Sequence, residues 1–386
     1  MKTQTETCKS TIASAAALVR KNAALLICLG LFTVGLGRPA TAEEFPTITF
    51  DAPGAGTSAG QGTSAYSINQ QGMIAGYYGD NNNVFHGFVR SPRGHITTFD
   101  VWGAGTGAYQ GTYAYGSNAN GAIAGFYSDS GFVYHGFVRA PDGKITTFDA
   151  PGAAGTFAAN INPAGVIAGD YFDANNVQHA YIRTPDNKFT TFDARGAGTA
   201  AGQGTFTEFL DCINPDGVMT GYSVDSKNVA HGYMRDRDGY ISVFNAPGAG
   251  IGPGLGTIAT GIDPAGTITG VYFDAANVAH GLVRGARGDI VKIDVRGAGT
   301  GSGQGTYPGY INIRGDILGQ YTDASGVNHG FARTQAGYVT TFDIPGAGSA
   351  SGQGTIPGSS DPVQGITGYY VDANGVSHAF LRHCDR

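Results

Sequence analysis

Ile74, Gly76 and Tyr78 alternate with Ala75, Tyr77 and Gly79, and a little further on His86, Phe88 and Arg90 alternate with Gly87 and Val89. Residues two apart share one face of a strand, so each run predicts a short β-strand. Four such runs follow one another from Ala65 to Asn69, Met73 to Asp80, Val84 to Arg90 and Ile96 to Asp100. All are rich in β-branched and aromatic residues and bounded by turn formers, which predicts four antiparallel strands. The first connection, Asn69-Gln70-Gln71-Gly72, recurs at Asn162, Asn214 and Asp263 with Gly in fourth place, the preference of a type I turn. The third connection, Pro92-Arg93-Gly94, is equally turn-like. A three-residue second hairpin would set Tyr78 opposite His86 and Gly76 opposite Phe88, giving the ring a slot without a side chain.

The pattern is one module repeated. A run from His to Arg recurs at His86, His135, His179, His231, His280, His329 and His378, at spacings of 49, 44, 52, 49, 49 and 49 residues. An Asp stands six positions before each His, from Asp80 to Asp372. A fixed period of this size marks a repeat architecture, and four-stranded sheets that cannot bury both faces alone stack radially. The expected fold is all-β, a seven-bladed β-propeller of four-stranded antiparallel blades. The seventh unit stops after its third strand at Arg386, while Thr47-Ile48-Thr49-Phe50-Asp51 matches only a fourth strand. Residues 47–51 are therefore expected to complete the last blade and remove two open sheet edges.

The first 42 residues read differently. Lys2, Lys9, Arg20 and Lys21 precede the apolar run Ala23 to Leu36, and Ala40-Thr41-Ala42 offers a small-residue cleavage site, the layout of a secretory signal peptide. Residues 43–386 are then expected as one exported domain, secreted or periplasmic, with no stretch long enough to span a bilayer. Cleavage removes five of 23 basic residues and one of 29 acidic ones, leaving a net charge of about −10. That opposes binding to nucleic acid or anionic lipid. Cys212 and Cys384 remain, at different positions in the repeat, and are read as unpaired thiols that could form at most one bridge.

His-Gly-Phe-x-Arg, Gly-x-Ile-Thr-Thr-Phe-Asp, Ala-Pro-Gly-Ala-Gly-Thr and Ile-Asn-x-x-Gly-x-Ile-x-Gly-x-Tyr together resemble the repeats of the bacterial extracellular HAF family across residues 47–382. The resemblance implies a secreted or surface protein and carries over no catalytic residue. His179-Ala180-Tyr181, His280-Gly281-Leu282, Asn245 and Ile293 depart from the pattern.

Repeated positions have a structural role to fill before a chemical one. His86 and Arg90 are expected to bond turns or carboxylates such as Asp100, since buried polar groups persist only when paired. Replacing His231 or Arg235 should cost several kcal/mol if the partner is buried. The Asp-x-Asn-Asn turns are oxygen-rich, as calcium requires, yet lack the spacing that wraps one cation; no cofactor is expected, with calcium at these turns as the alternative. Departures from symmetry point to a site. The link Ala150 to Thr156 is about five residues short, and the following unit extends through Phe206-Thr207-Glu208-Phe209-Leu210-Asp211. Glu208 is the sole Glu after Glu44, Asp170 replaces an aromatic or neutral residue, and Trp102 is the sole Trp, with Tyr109 nearby. Trp102, Tyr109, Asp170, Glu208 and Asp211 are expected to line a notch on the rim of the link-bearing face. The reading is a monomeric, non-catalytic binding module for an extracellular glycan or protein. Its alternatives are a carbohydrate-active enzyme using a Glu208-centred carboxylate pair and a structural envelope protein.

Overall fold

The computed structural model describes residues 46–208, 211–361, 363 and 365–383. The leader and Cys384 lie outside the described residues. Among those described there are 28 strands, and no helix is long and apolar enough to cross a membrane.

Each repeat folds as a four-stranded antiparallel set. In the first unit, Gly62–Ile68, Ile74–Gly79, Phe85–Arg90 and Ile96–Phe99 pair in chain order. The predicted register is found: Tyr78 faces His86 and Gly76 faces Phe88. Phe88 is fully buried, and a Cβ on Gly76 would lie 2.9 Å from its ring. The sets stand around a common axis in a propeller-like ring, and Thr47–Phe50 closes it by pairing antiparallel with Ser377–Arg382, Phe50 opposite Ala379.

Neighbouring sets are joined first by stacked arginines. Six of the seven arginines that end the repeated run lie over the fourth-strand phenylalanine of the preceding set, among them Arg90 on Phe50 at 4.8 Å, Arg183 on Phe148 at 4.3 Å, Arg235 on Phe192 at 5.0 Å and Arg382 on Phe342 at 4.6 Å; for Arg333 that place is held by Ile293. Of the turns or carboxylates expected for it, the guanidinium meets turn oxygens, as Arg235 donates to the Asp236 carbonyl at 3.2 Å and Arg139 to that of Ala140, and it lies on a ring that its flat, weakly hydrated face favours. The second device is a single parallel bridge, such as Phe85 to Gly111 and Ser377 to Gly62. It explains why the first strand begins at Gly62 rather than Ala65.

The bridging glycine tolerates no side chain. Gly111 has φ 121°, and a Cβ there would lie 2.0 Å from the Phe85 carbonyl oxygen. Gly60, on a link, has φ 83° but nothing within 4 Å. Chemical denaturation should show a loss of about 3 kcal/mol or more for Gly111→Ala, against about 1–2 kcal/mol for Gly60→Ala, where only the left-handed backbone is penalised. Equal losses would contradict the bridge geometry.

Candidate functional site

The repeated histidines are scaffold. His86 Nδ1 lies 2.9 Å from Asp100, and the contact recurs in every unit, with His378 reaching Asp51 at 2.9 Å across the ring closure. The hydrogen bond with Asp100 raises the His86 pKa. Asp80 accepts the amides of Asn82 and Val84 at 2.8 Å through one oxygen. Burial works against its charge, but those amides prevail and hold its pKa below the usual range. The Asp-x-Asn-Asn turns thus have a local role as caps of their own hairpin. His231 bonds the exposed Asn245 at 2.7 Å, so its replacement should cost about 1 kcal/mol, less than a buried partner would demand.

The links and the second hairpins do share one face, since Gln61 Nε2 donates to the Asn81 carbonyl at 3.2 Å. The opposite face carries the first turns, whose asparagines form a belt between units. Asn69 Nδ2 donates to the Asn118 carbonyl, Asn118 to Asn162, Asn162 to Asn214 and Asn214 to Asp263, at 3.0–3.2 Å. The side-chain oxygen of Asn69 meanwhile accepts the Gln71 and Met73 amides. One residue type shapes its own turn and ties it to the next.

Inside that belt the ends of the first strands converge on a cavity of about 120 Å³ on the ring axis, with a recess of about 40 Å³ beneath it. Ile68, Ile161, Ile262 and Ile311 line it with prolines of the turns, Tyr310 and the carboxyls of Asp211 and Asp361. Its lining has no histidine, cysteine or basic residue among the described residues. Deeper on the axis, tyrosines fill the ring: Tyr66 stacks on Tyr77 at 5.1 Å and meets Tyr115 at 4.9 Å and Tyr369 at 6.0 Å.

The fourth unit departs from its neighbours here. Its first strand is only Gly204–Phe206, and the chain regains the pattern at Cys212 and Ile213, which bridges Met219. Three more residues lie between the shared Gly-Thr and Ile-Asn motifs than in the other units. On the axial side of this insertion Asp211, at φ 50°, lines the cavity. Asp170, 4% exposed, accepts the Thr207 amide at 3.0 Å and anchors the start of the bulge. The predicted rim notch is thus displaced: the short link lies on the link face, while the extension lies inside the ring.

Burial governs the three carboxyls. It raises Asp170 to about 7 against the opposing Thr207 hydrogen bond. It raises Glu208 to about 8, with Asp170 adding repulsion, and Asp211 to about 8, with Asp263 adding repulsion. Glu208 and Asp211 are half-buried, and Asp211 lines the axial cavity. Asp170 and Glu208 are therefore together, with Asp211 beside the buried free thiol of Cys212. Trp102 and Tyr109 stand apart from them on the link face, 95% and 62% exposed. The asparagine belt escaped the sequence reading, because a turn-forming Asn reveals nothing of what its amide nitrogen reaches.

No protein-family model and no curated protein matches the chain. Its fold is similar to that of virginiamycin B lyase from Staphylococcus aureus, at TM-score 0.54 and 12% identity over 88% of this chain and 99% of that one. It is also similar to BP39L lectin from Burkholderia pseudomallei, at TM-score 0.57 and 13% identity over 84% and 96%. At these identities the likeness establishes a propeller fold and leaves function open.

Proposed function

We propose that this is an exported, seven-bladed propeller of the HAF-repeat type that binds a ligand without transforming it. The partner is an extracellular glycan or protein, and its terminal group enters the axial cavity between the asparagine turns. The cavity carries the reading: about 120 Å³ is close to the volume that admits a single six-membered ring. Isoleucines and prolines supply apolar walls, while Asp211 and Tyr310 supply orienting polar groups. The similar folds include a lectin and a lyase, so architecture does not choose between them; the lining, with no histidine, cysteine or basic residue among the described residues, favours binding. A glycan array probed with the mature chain tests this. Binding should be lost in Asp211→Asn and kept in Trp102→Ala. The reverse result would move the site to the link face, and no binding at all would favour a structural envelope role.

One observation supports catalysis as a second reading. Glu208 sits beside Asp170 with its carboxyl raised to about 8, so at neutral pH it holds a proton as a general acid must. Turnover of a polysaccharide abolished by Glu208→Gln would establish that role.

A further inference from the structure

In six units a tyrosine faces the repeated histidine and stacks on it: Tyr78 on His86, Tyr127 on His135, Tyr171 on His179, Tyr272 on His280, Tyr321 on His329 and Tyr370 on His378, at 4.8–5.1 Å. In the fourth unit Ser223 holds that place, opposite His231 in the same register. Pairing is kept on both sides of Ser223, with Thr205 and with His231, so the backbone has not closed over the missing ring.

The link above reports the same vacancy. A Cβ built on Gly54, Gly103, Gly248, Gly297 or Gly346 would first meet the tyrosine of its own unit at 3.3–3.8 Å. On Gly196, over Ser223, it would meet nothing within 4 Å. Gly152 also meets nothing, but its link is the shortened one and Tyr171 is in place below. Ser223 is 1% exposed, and its Oγ has no hydrogen-bond partner. A buried hydroxyl is ordinarily paired, so an unpaired one where six other units carry a tyrosine ring is a donor and acceptor awaiting a partner. The His231 side chain is 24% exposed, like the stacked histidines, and its ring nitrogens reach Asn245 and Asp225.

We propose that this slot in the fourth unit, between the link around Gly196 and the His231 imidazole, binds a phenolic ring. The ring stacks on His231 as the tyrosines of the other units do, and its hydroxyl points inward to Ser223 Oγ. A free phenol and a tyrosine side chain of a partner protein share this chemistry. The slot is separate from the axial cavity, so neither proposal depends on the other.

Thermal melting of the mature chain with phenol, together with the NMR signals of the His231 imidazole, tests the slot. Phenol should raise the melting temperature and shift the His231 resonances by its ring current. Ser223→Tyr supplies the ring covalently, so it should melt a few degrees higher without ligand and no longer respond to phenol. Ser223→Ala should respond several-fold more weakly to phenol than the natural chain while responding equally to toluene. If Ser223→Tyr does not fold, the His231 signals and Ser223→Ala carry the test. Unmoved His231 resonances, or a Ser223→Tyr chain that keeps the full phenol response, would overturn the proposal. The peptide Gly-Tyr-Gly separates the sources: tighter binding than phenol identifies a tyrosine of a partner protein, and a response to phenol alone identifies a small phenol.

Discussion

A chain that begins at Ala52 should lose its cooperative melting transition and associate with itself. Residues 46–51 supply the fourth strand of the last set, and their removal acts on several interactions at once. Pairing from Thr47 opposite Arg382 to Phe50 opposite Ala379 disappears, and so does the Asp51 contact to His378 at 2.9 Å. Phe50 also meets Phe88 edge-on at 6.2 Å and lies under Arg90 at 4.8 Å, so the first set loses packing together with the last. Burial of such a ring contributes about 1.5–3 kcal/mol, and with the backbone pairing the total is on the order of 5 kcal/mol. Domains are stable by about 5–15 kcal/mol. The bare edge of Ser377–Arg382 then becomes a template for another chain. Size-exclusion chromatography and calorimetry should show oligomers and a broad or absent transition, both reversed by a synthetic peptide of residues 46–52. A truncated chain that stays monomeric with an unchanged melting temperature would show that the ring does not need its closing strand.

This closure was legible in the sequence because it rests on repetition: an orphan Thr-Ile-Thr-Phe-Asp at one end answers a missing fourth strand at the other. The register of Gly76 with Phe88 was legible for a related reason, since strand alternation and turn length fix it locally. What the sequence concealed lies between units. Arg90 reaches a ring 40 residues earlier in the chain, and Asn69 donates to a carbonyl 49 residues later; no local period encodes such partners. The acidic residues were found by their rarity and misplaced for the same reason. Glu208 is exceptional in composition, but whether three added residues extend a surface link or bulge into the axis depends on which flanking residues are pinned. Here Phe206 pairs with Tyr222 and Ile213 with Met219, and Asp211 between them lines the axial cavity. Tyr109 and Trp102 stand on the expected face because the links are where the sequence placed them.

Stability should fall as pH rises from about 5.5 to 9. Two sets of carboxyls oppose each other. Asp80, Asp173, Asp225, Asp274 and Asp372 have folded pKa values below their unfolded ones. Their contribution is present above the unfolded values near 4 and is lost as pH falls through the folded ones. Asp170, Glu208 and Asp211 are raised to about 7, 8 and 8. A raised group contributes stability that is complete below its unfolded value near 4 and is lost as pH climbs through its folded one. His86, raised by Asp100, has the same sign. The maximum therefore lies between about pH 4 and 6, and ionising the buried acids costs on the order of 3 kcal/mol each. Glu208→Gln removes one proton-binding site and the repulsion that Asp170 feels from it, while Asp170→Asn keeps an oxygen for the Thr207 amide. Both should raise the melting temperature more at pH 9 than at pH 5.5 and flatten the profile between. A natural chain equally stable at the two pH values would mean that the bulge leaves its place and takes the carboxyls into water before they ionise. Hydrogen exchange at the Thr207 amide distinguishes that outcome, because its protection rests on Asp170 and would vanish with the displacement.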